Sequence, residues 1–159
     1  MMSVVSDIYY MKRALRLARR GEWKVRPNPQ VGAVIVKGGR IIAEGYHHYY
    51  GGPHAEVDAI GNASEDVKGA TLYVNLEPCS FHGKTPPCTD LIIKKGIKRV
   101  VCGMTDPNPL VSGNGIAALR DAGIDVVEGI LGFECRELND PFVKSIVSHL
   151  PYVTLKVAM

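Results

Sequence analysis

The sequence predicts an α/β fold whose sheet contains parallel pairings, and three observations carry that expectation. Short β-branched runs recur along the chain, segments with helical apolar spacing lie between most of them, and Gly- and Pro-rich stretches mark the changeovers. With 159 residues and a hydrophobic content of 46%, the chain has enough apolar surface for one ordinary core.

The elements follow in order. From Asp7 to Arg20, Ile8, Met11, Leu15 and Ala18 recur at a helical period behind an acidic N-cap candidate, and Gly21 closes the helix. Trp23 and the Tyr9-Tyr10 pair are expected to pack this helix. RPNPQ (26–30) is loop punctuation, after which VGAVIV (31–36) and RIIAEGY (40–46), joined by Lys37-Gly38-Gly39, read as a hairpin. A helix is expected from Pro53 to Ala63, a strand at 70–76, a Pro/Gly/Cys loop at 77–87 and a helix from Cys88 to Lys95. The strand RVVCGM (99–104), the loop TDPNPLVSGNG (105–115), a helix at 116–122 and the strand IDVVEG (124–129) complete the pattern.

Bulk properties exclude more than they select. Lys and Arg number 19 against 16 acidic residues, and the excess of +3 is scattered, so nothing marks a nucleic-acid-binding stripe. No apolar run reaches the roughly 18–20 residues that span a membrane, and the N-terminal stretch lacks a signal-peptide pattern. A cytoplasmic protein with no membrane partner is expected. Its four cysteines then read as thiols or metal ligands in preference to disulfides.

Two stretches carry chemistry. In GGPHAEVDAI (51–60), His54 and Glu56 stand two residues apart, about 200° around a regular helix, so they can face one site only from its first turn. Pro53 agrees with a helix start there. In LEPCSFHGKTPPC (76–88), Cys79 and Cys88 each follow a proline, and Cys88 opens a helix whose free N–H groups favour a thiolate. One histidine and two thiolates suit Zn²⁺ and leave a fourth tetrahedral position for water, the pattern of a catalytic site. The competing arrangement is a structural site closed by His82. Cys102 and Cys135 have no ligand partners nearby in the chain and read as core thiols.

The order His-Ala-Glu, intervening strand, Pro-Cys resembles the cytidine deaminase superfamily, whose signature is H-x-E…P-C-x-x-C. Here eight residues, not two, separate the cysteines. That longer loop, together with RPNPQVGAVIV (26–36), HHYYGGPHAE (47–56) and MTDPNPLVSGNG (104–115), is similar to the deaminases of riboflavin biosynthesis, which act on a diaminohydroxy-phosphoribosylamino-pyrimidine. The resemblance implies a three-layer α/β/α fold with a mixed central sheet. It also implies zinc on His54, Cys79 and Cys88, with Glu56 as the proton shuttle. Asn28, His47, Lys84, Asp106 and Asn108 fall where that family contacts its pyrimidine and ribose phosphate; His48 competes with His47, and Lys84 reads equally as a solvated loop lysine.

Residues 1–148 are expected to form the deaminase domain. PYVTLKVAM (151–159) alternates like a strand, and 149–159 resembles the opening of an NADPH-dependent reductase domain in bifunctional relatives, so a reductase, either separate or covalently missing from this sequence, is an expected partner. The competing reading is a terminal strand that pairs with this sheet or with a second subunit, and a homodimer is expected. Two other functions stay open: a deaminase of another base, nucleoside or RNA adenosine, and a non-catalytic zinc-stabilised interaction module, which would have no use for Glu56.

Overall fold

The computed structural model describes residues 4–81, 86–109 and 111–157. Helix α1 (Val4–Ala18) runs into a 3₁₀ turn at Arg19–Gly21. Strands β1 (Gly32–Lys37) and β2 (Arg40–Tyr46) form the expected hairpin, followed by α2 (Ala55–Gly61), β3 (Thr71–Leu76), α3 (Cys88–Lys94), β4 (Arg99–Met104), α4 (Asn114–Asp121) and β5 (Asp125–Glu128). Two helices close the described chain, α5 (Gly132–Leu138) and α6 (Asp140–Ser148).

The sheet order is β2-β1-β3-β4-β5. Strand β1 pairs antiparallel with both β2 and β3, while β3, β4 and β5 run parallel, so the sheet is mixed. Alternation along the central strands builds two cores. Ala33, Ile35, Leu72, Val74 and Val100 join α2, α3 and α4 through Ala59, Ile92 and Leu119. Val34, Val36, Tyr73 and Val101 face the opposite way, onto Met11, Ala14 and Leu15 of α1 and Cys135 of α5. Strands covered on both faces read as continuous apolar runs, which is how β1 and β4 appear in the sequence. The result is a three-layer α/β/α arrangement.

Three expectations are corrected. Asp7 does not cap α1: the helix begins at Val4, and the buried Asp7 carboxylate accepts hydrogen bonds from Tyr73 Oη (2.8 Å) and from Arg99 Nη1 and Nη2 (2.8 and 2.9 Å). Trp23 does not pack α1. The Lys24 and Val25 N–H groups both return to the Gly21 carbonyl, a reversal that buries Val25 and leaves Trp23 exposed beneath the Arg26 guanidinium, 4.4 Å from its ring centroid. Tyr10 does pack the core, whereas Tyr9 is exposed and meets it edge-on. Finally, residues 151–157 form no strand. They are exposed and have no ladder partner, and Tyr152 lies back over Lys144 of α6. No helix among the described residues is long and apolar enough to cross a membrane.

Candidate active site

The site forms where α2 and α3 begin against the ends of β3 and β4. His54 is the residue just before α2, with extended backbone (φ −68°, ψ 157°), and Glu56 is the second residue of the helix. This is the first-turn placement that brings both side chains to one side. Helix α2 lies directly on β2 at Gly45, where a Cβ would overlap backbone atoms of Ala55 and Ala59. Cys79 follows β3 in the loop, and Cys88 opens α3.

His54 Nδ1 lies 3.3 Å from Cys88 Sγ and 3.5 Å from Cys79 Sγ, and all three ligand atoms fall within 4.8 Å of one another. A tetrahedral Zn²⁺ with ordinary bond lengths holds its nitrogen and sulfur ligands about 3.5–3.8 Å apart. The donor set therefore fits zinc in chemistry and in spacing. Cys79 favours the thiolate, because the Cys88 thiol and backbone N–H (3.3 Å) both donate to it and His54 stands beside it. The hydrogen bond to Cys79 raises the His54 pKa against the effect of burial. Both directions describe protons held in common by three groups, the protons a divalent cation displaces on binding. No other group of three such ligands occurs among the described residues. His82 lies outside the described residues, as does Lys84.

Glu56 is buried beside this set, and burial pushes its carboxyl up to about 7 against the pull of His54. A carboxyl held near neutrality can both take and give a proton under physiological conditions.

A cavity of about 250 Å³ opens over the ligands and Glu56, and Asn28, His47, Asp106 and Asn108 line it. His47, not His48, belongs to it. Its Nδ1–H donates to the Pro53 carbonyl (2.8 Å), so Nε2 is bare and accepts from Asn28 Nδ2 at 3.2 Å. Burial lowers the His47 pKa and agrees with a neutral ring. His48 instead stacks on Tyr46 and pairs with Asp58 at 2.9 Å. Burial raises the Asp106 pKa, and its Oδ1 accepts the Asn108 N–H at 2.8 Å.

The sequence reading missed several residues. Phe142 and Ile146 of α6, signalled only by a helical period in DPFVKSIVS, add an apolar wall together with Val111 of the 105–115 loop. Asn75 and Asn139 hold the Gln30 segment: Asn139 Oδ1 accepts Gln30 N–H (2.8 Å), and both amide nitrogens donate to the Gln30 carbonyl at 3.0 Å. Glu77, in the LEPC stretch, accepts four backbone N–H groups. Cys102 and Cys135 are buried core thiols, as expected.

Comparison with known proteins places these features. Residues 4–104 match the cytidine and deoxycytidylate deaminase zinc-binding region. The riboflavin biosynthesis protein RibD of Aquifex aeolicus is 57% identical over 96% of this chain, and that of Escherichia coli is 54% identical over 96%. The chain spans 43% and 42% of those relatives, about two fifths of their length. A crystal structure of a diaminohydroxyphosphoribosylaminopyrimidine deaminase/5-amino-6-(5-phosphoribosylamino)uracil reductase from Thermotoga maritima superposes with a TM-score of 0.90 at 55% identity, over 94% of this chain and 43% of that one. The match runs from α1 through β4, a span that includes His54, Glu56, Cys79 and Cys88, and it covers more than half of the chain, which therefore belongs to the zinc-binding cytidine and deoxycytidylate deaminase family.

Proposed function

We propose that this chain removes an amine by hydrolysis from a diaminohydroxyphosphoribosylaminopyrimidine, giving 5-amino-6-(5-phosphoribosylamino)uracil and ammonia, a step of riboflavin biosynthesis. The observation that carries the reading is one cavity holding His54, Glu56 and Cys79 together with Asn28, His47, Asp106 and Asn108. High identity to RibD proteins across nearly the whole chain supports the substrate class.

When bound by His54, Cys79 and Cys88, zinc supplies the nucleophile by making a water acidic near neutral pH. Glu56 takes that water's proton and delivers it to the ring nitrogen, which makes the adjacent amine-bearing carbon electrophilic. Carbon–oxygen bond formation gives a tetrahedral centre on the pyrimidine. Glu56, a carboxylate again, takes the proton of the new hydroxyl and passes it to the amine; the carbon–nitrogen bond breaks as the carbonyl forms, and ammonia leaves. The neutral His47 holds the Asn28 amide in a fixed orientation toward the substrate. Asp106 and Asn108 meet the substrate from the opposite loop, and Phe142, Ile146 and Val111 keep water from the pyrimidine face. Lys84 is a counter-ion for the ribose phosphate in this proposal.

In the same reading an NADPH-dependent reductase takes up the product; that the Thermotoga maritima protein is both a deaminase and a reductase supports this. A homodimer and a cytoplasmic location complete it. Ammonia release from the diaminopyrimidine ribotide, compared with cytidine, deoxycytidylate and an RNA adenosine, tests the proposal; release from one of those alone overturns the substrate assignment.

A further inference from the structure

Glu77 has no part in the chemistry above, yet its buried carboxylate lies in the wall of the same cavity. Its Oε2 accepts the N–H groups of Asp106 (2.9 Å) and Gly113 (3.0 Å), and its Oε1 accepts those of Gly115 (2.8 Å) and Ile116 (3.2 Å). Four donors fill the lone-pair capacity of a carboxylate. Gly115 and Ile116 lie in the first turn of α4, where N–H groups have no acceptor within the helix. Gly113, just before α4, has φ of 81°. Asp106 stands at the other end of the loop, and its turn to Asn108 continues through the Asn108 carbonyl, which accepts from Val111 (2.9 Å) and Ser112 (2.8 Å). One side chain thus pins both ends of the segment that carries Asp106 and Asn108. Gly115 permits this approach, since a Cβ there would overlap the Pro78 carbonyl oxygen. Glu77 itself is anchored by its N–H to the Met104 carbonyl (2.9 Å), two residues before Cys79.

We infer that Glu77 is a positioning residue for substrate binding: it holds the Asp106–Asn108 loop at a set distance from the metal centre. This rests on the reading of Asp106 and Asn108 as substrate contacts. Hydrogen bonds to a charged acceptor are stronger than neutral ones, so no water-exposed turn would hold the loop as firmly.

The test is Glu77→Gln in the full chain, which preserves shape but turns an amide NH₂ toward two of the four donors. Expected are about one zinc per chain, kcat within roughly threefold of wild type and KM raised about tenfold or more, the signature of lost ground-state binding. Asn108→Ala raises KM as well, and in the double variant the two effects fall short of multiplying, because part of the Glu77 effect acts through the Asn108 contact and the rest through Asp106. An unchanged KM in zinc-loaded Glu77→Gln, or effects on KM that multiply, overturns the role. If Glu77→Gln fails to fold, Glu77→Asp, which keeps the charge and shortens the reach, is read by the same KM criterion. Wild-type protein that releases no ammonia refutes the proposed function, whereas active wild type with an unaltered KM in the variant refutes the positioning role alone.

Discussion

At the scale of single residues, His54 and Glu56 divide two tasks that their spacing alone keeps apart. His54 sits before α2 and offers Nδ1 to Cys79 and Cys88, while Glu56, two residues on, is buried with its carboxyl held near neutrality. Glu56→Ala is expected to retain zinc and lose about 10²–10⁴-fold in turnover, checked by metal content and ammonia release on one sample. His54→Ala, Cys79→Ala and Cys88→Ala are each expected to lower zinc content; full occupancy in any of them removes that residue from the ligand set. These four residues were legible because ligand chemistry and helix geometry restrict where they can act. Glu77, Asn75 and Asn139 were not, because their partners lie 29 to 39, 43 to 45 and 109 residues away and no local pattern announces them.

At the scale of elements, α2 places the metal centre because it can approach β2 closely. Gly45→Ala would force α2 outward, since its Cβ would overlap the backbone of Ala55 and Ala59. We expect a loss of about 1–3 kcal/mol in stability together with weaker zinc retention, measured by thermal unfolding and by chelator challenge. Unaltered zinc retention would show that the centre does not depend on this contact. The strands were readable from β-branched runs bounded by Gly and Pro, as in KGGR and LEPC. Helix α5 was not, because its seven residues are too few to establish a period, and α6, though DPFVKSIVS has one, follows it after a short junction at Asn139 and carries no site motif. The alternation of 151–157 suggested a strand, but alternation does not supply the neighbouring edge that a ladder requires.

At the scale of the whole molecule, Asp7, Tyr73 and Arg99 tie α1, β3 and β4 into one body across 92 residues of sequence. Burial alone would raise the Asp7 pKa, but the hydrogen bonds from Arg99 and Tyr73 outweigh it and hold the carboxyl below its ordinary range. A carboxylate lowered in the folded state contributes its full stability above the unfolded value of about 3.9 and loses it as pH falls through the lower folded value. Stability is therefore expected to decline steeply below about pH 4, and Asp7→Asn to cost roughly 3 kcal/mol at neutral pH while flattening that acid limb. Equal acid sensitivity in the variant, followed by denaturant unfolding across pH, would assign the decline to other groups. The central claim is that this body presents a zinc-dependent deaminase site for a phosphorylated pyrimidine. Its most direct test is zinc content measured alongside ammonia release from the diaminopyrimidine ribotide. About one zinc per chain with release that stops on chelation is the expected result; a zinc-loaded protein that leaves this ribotide intact would contradict it.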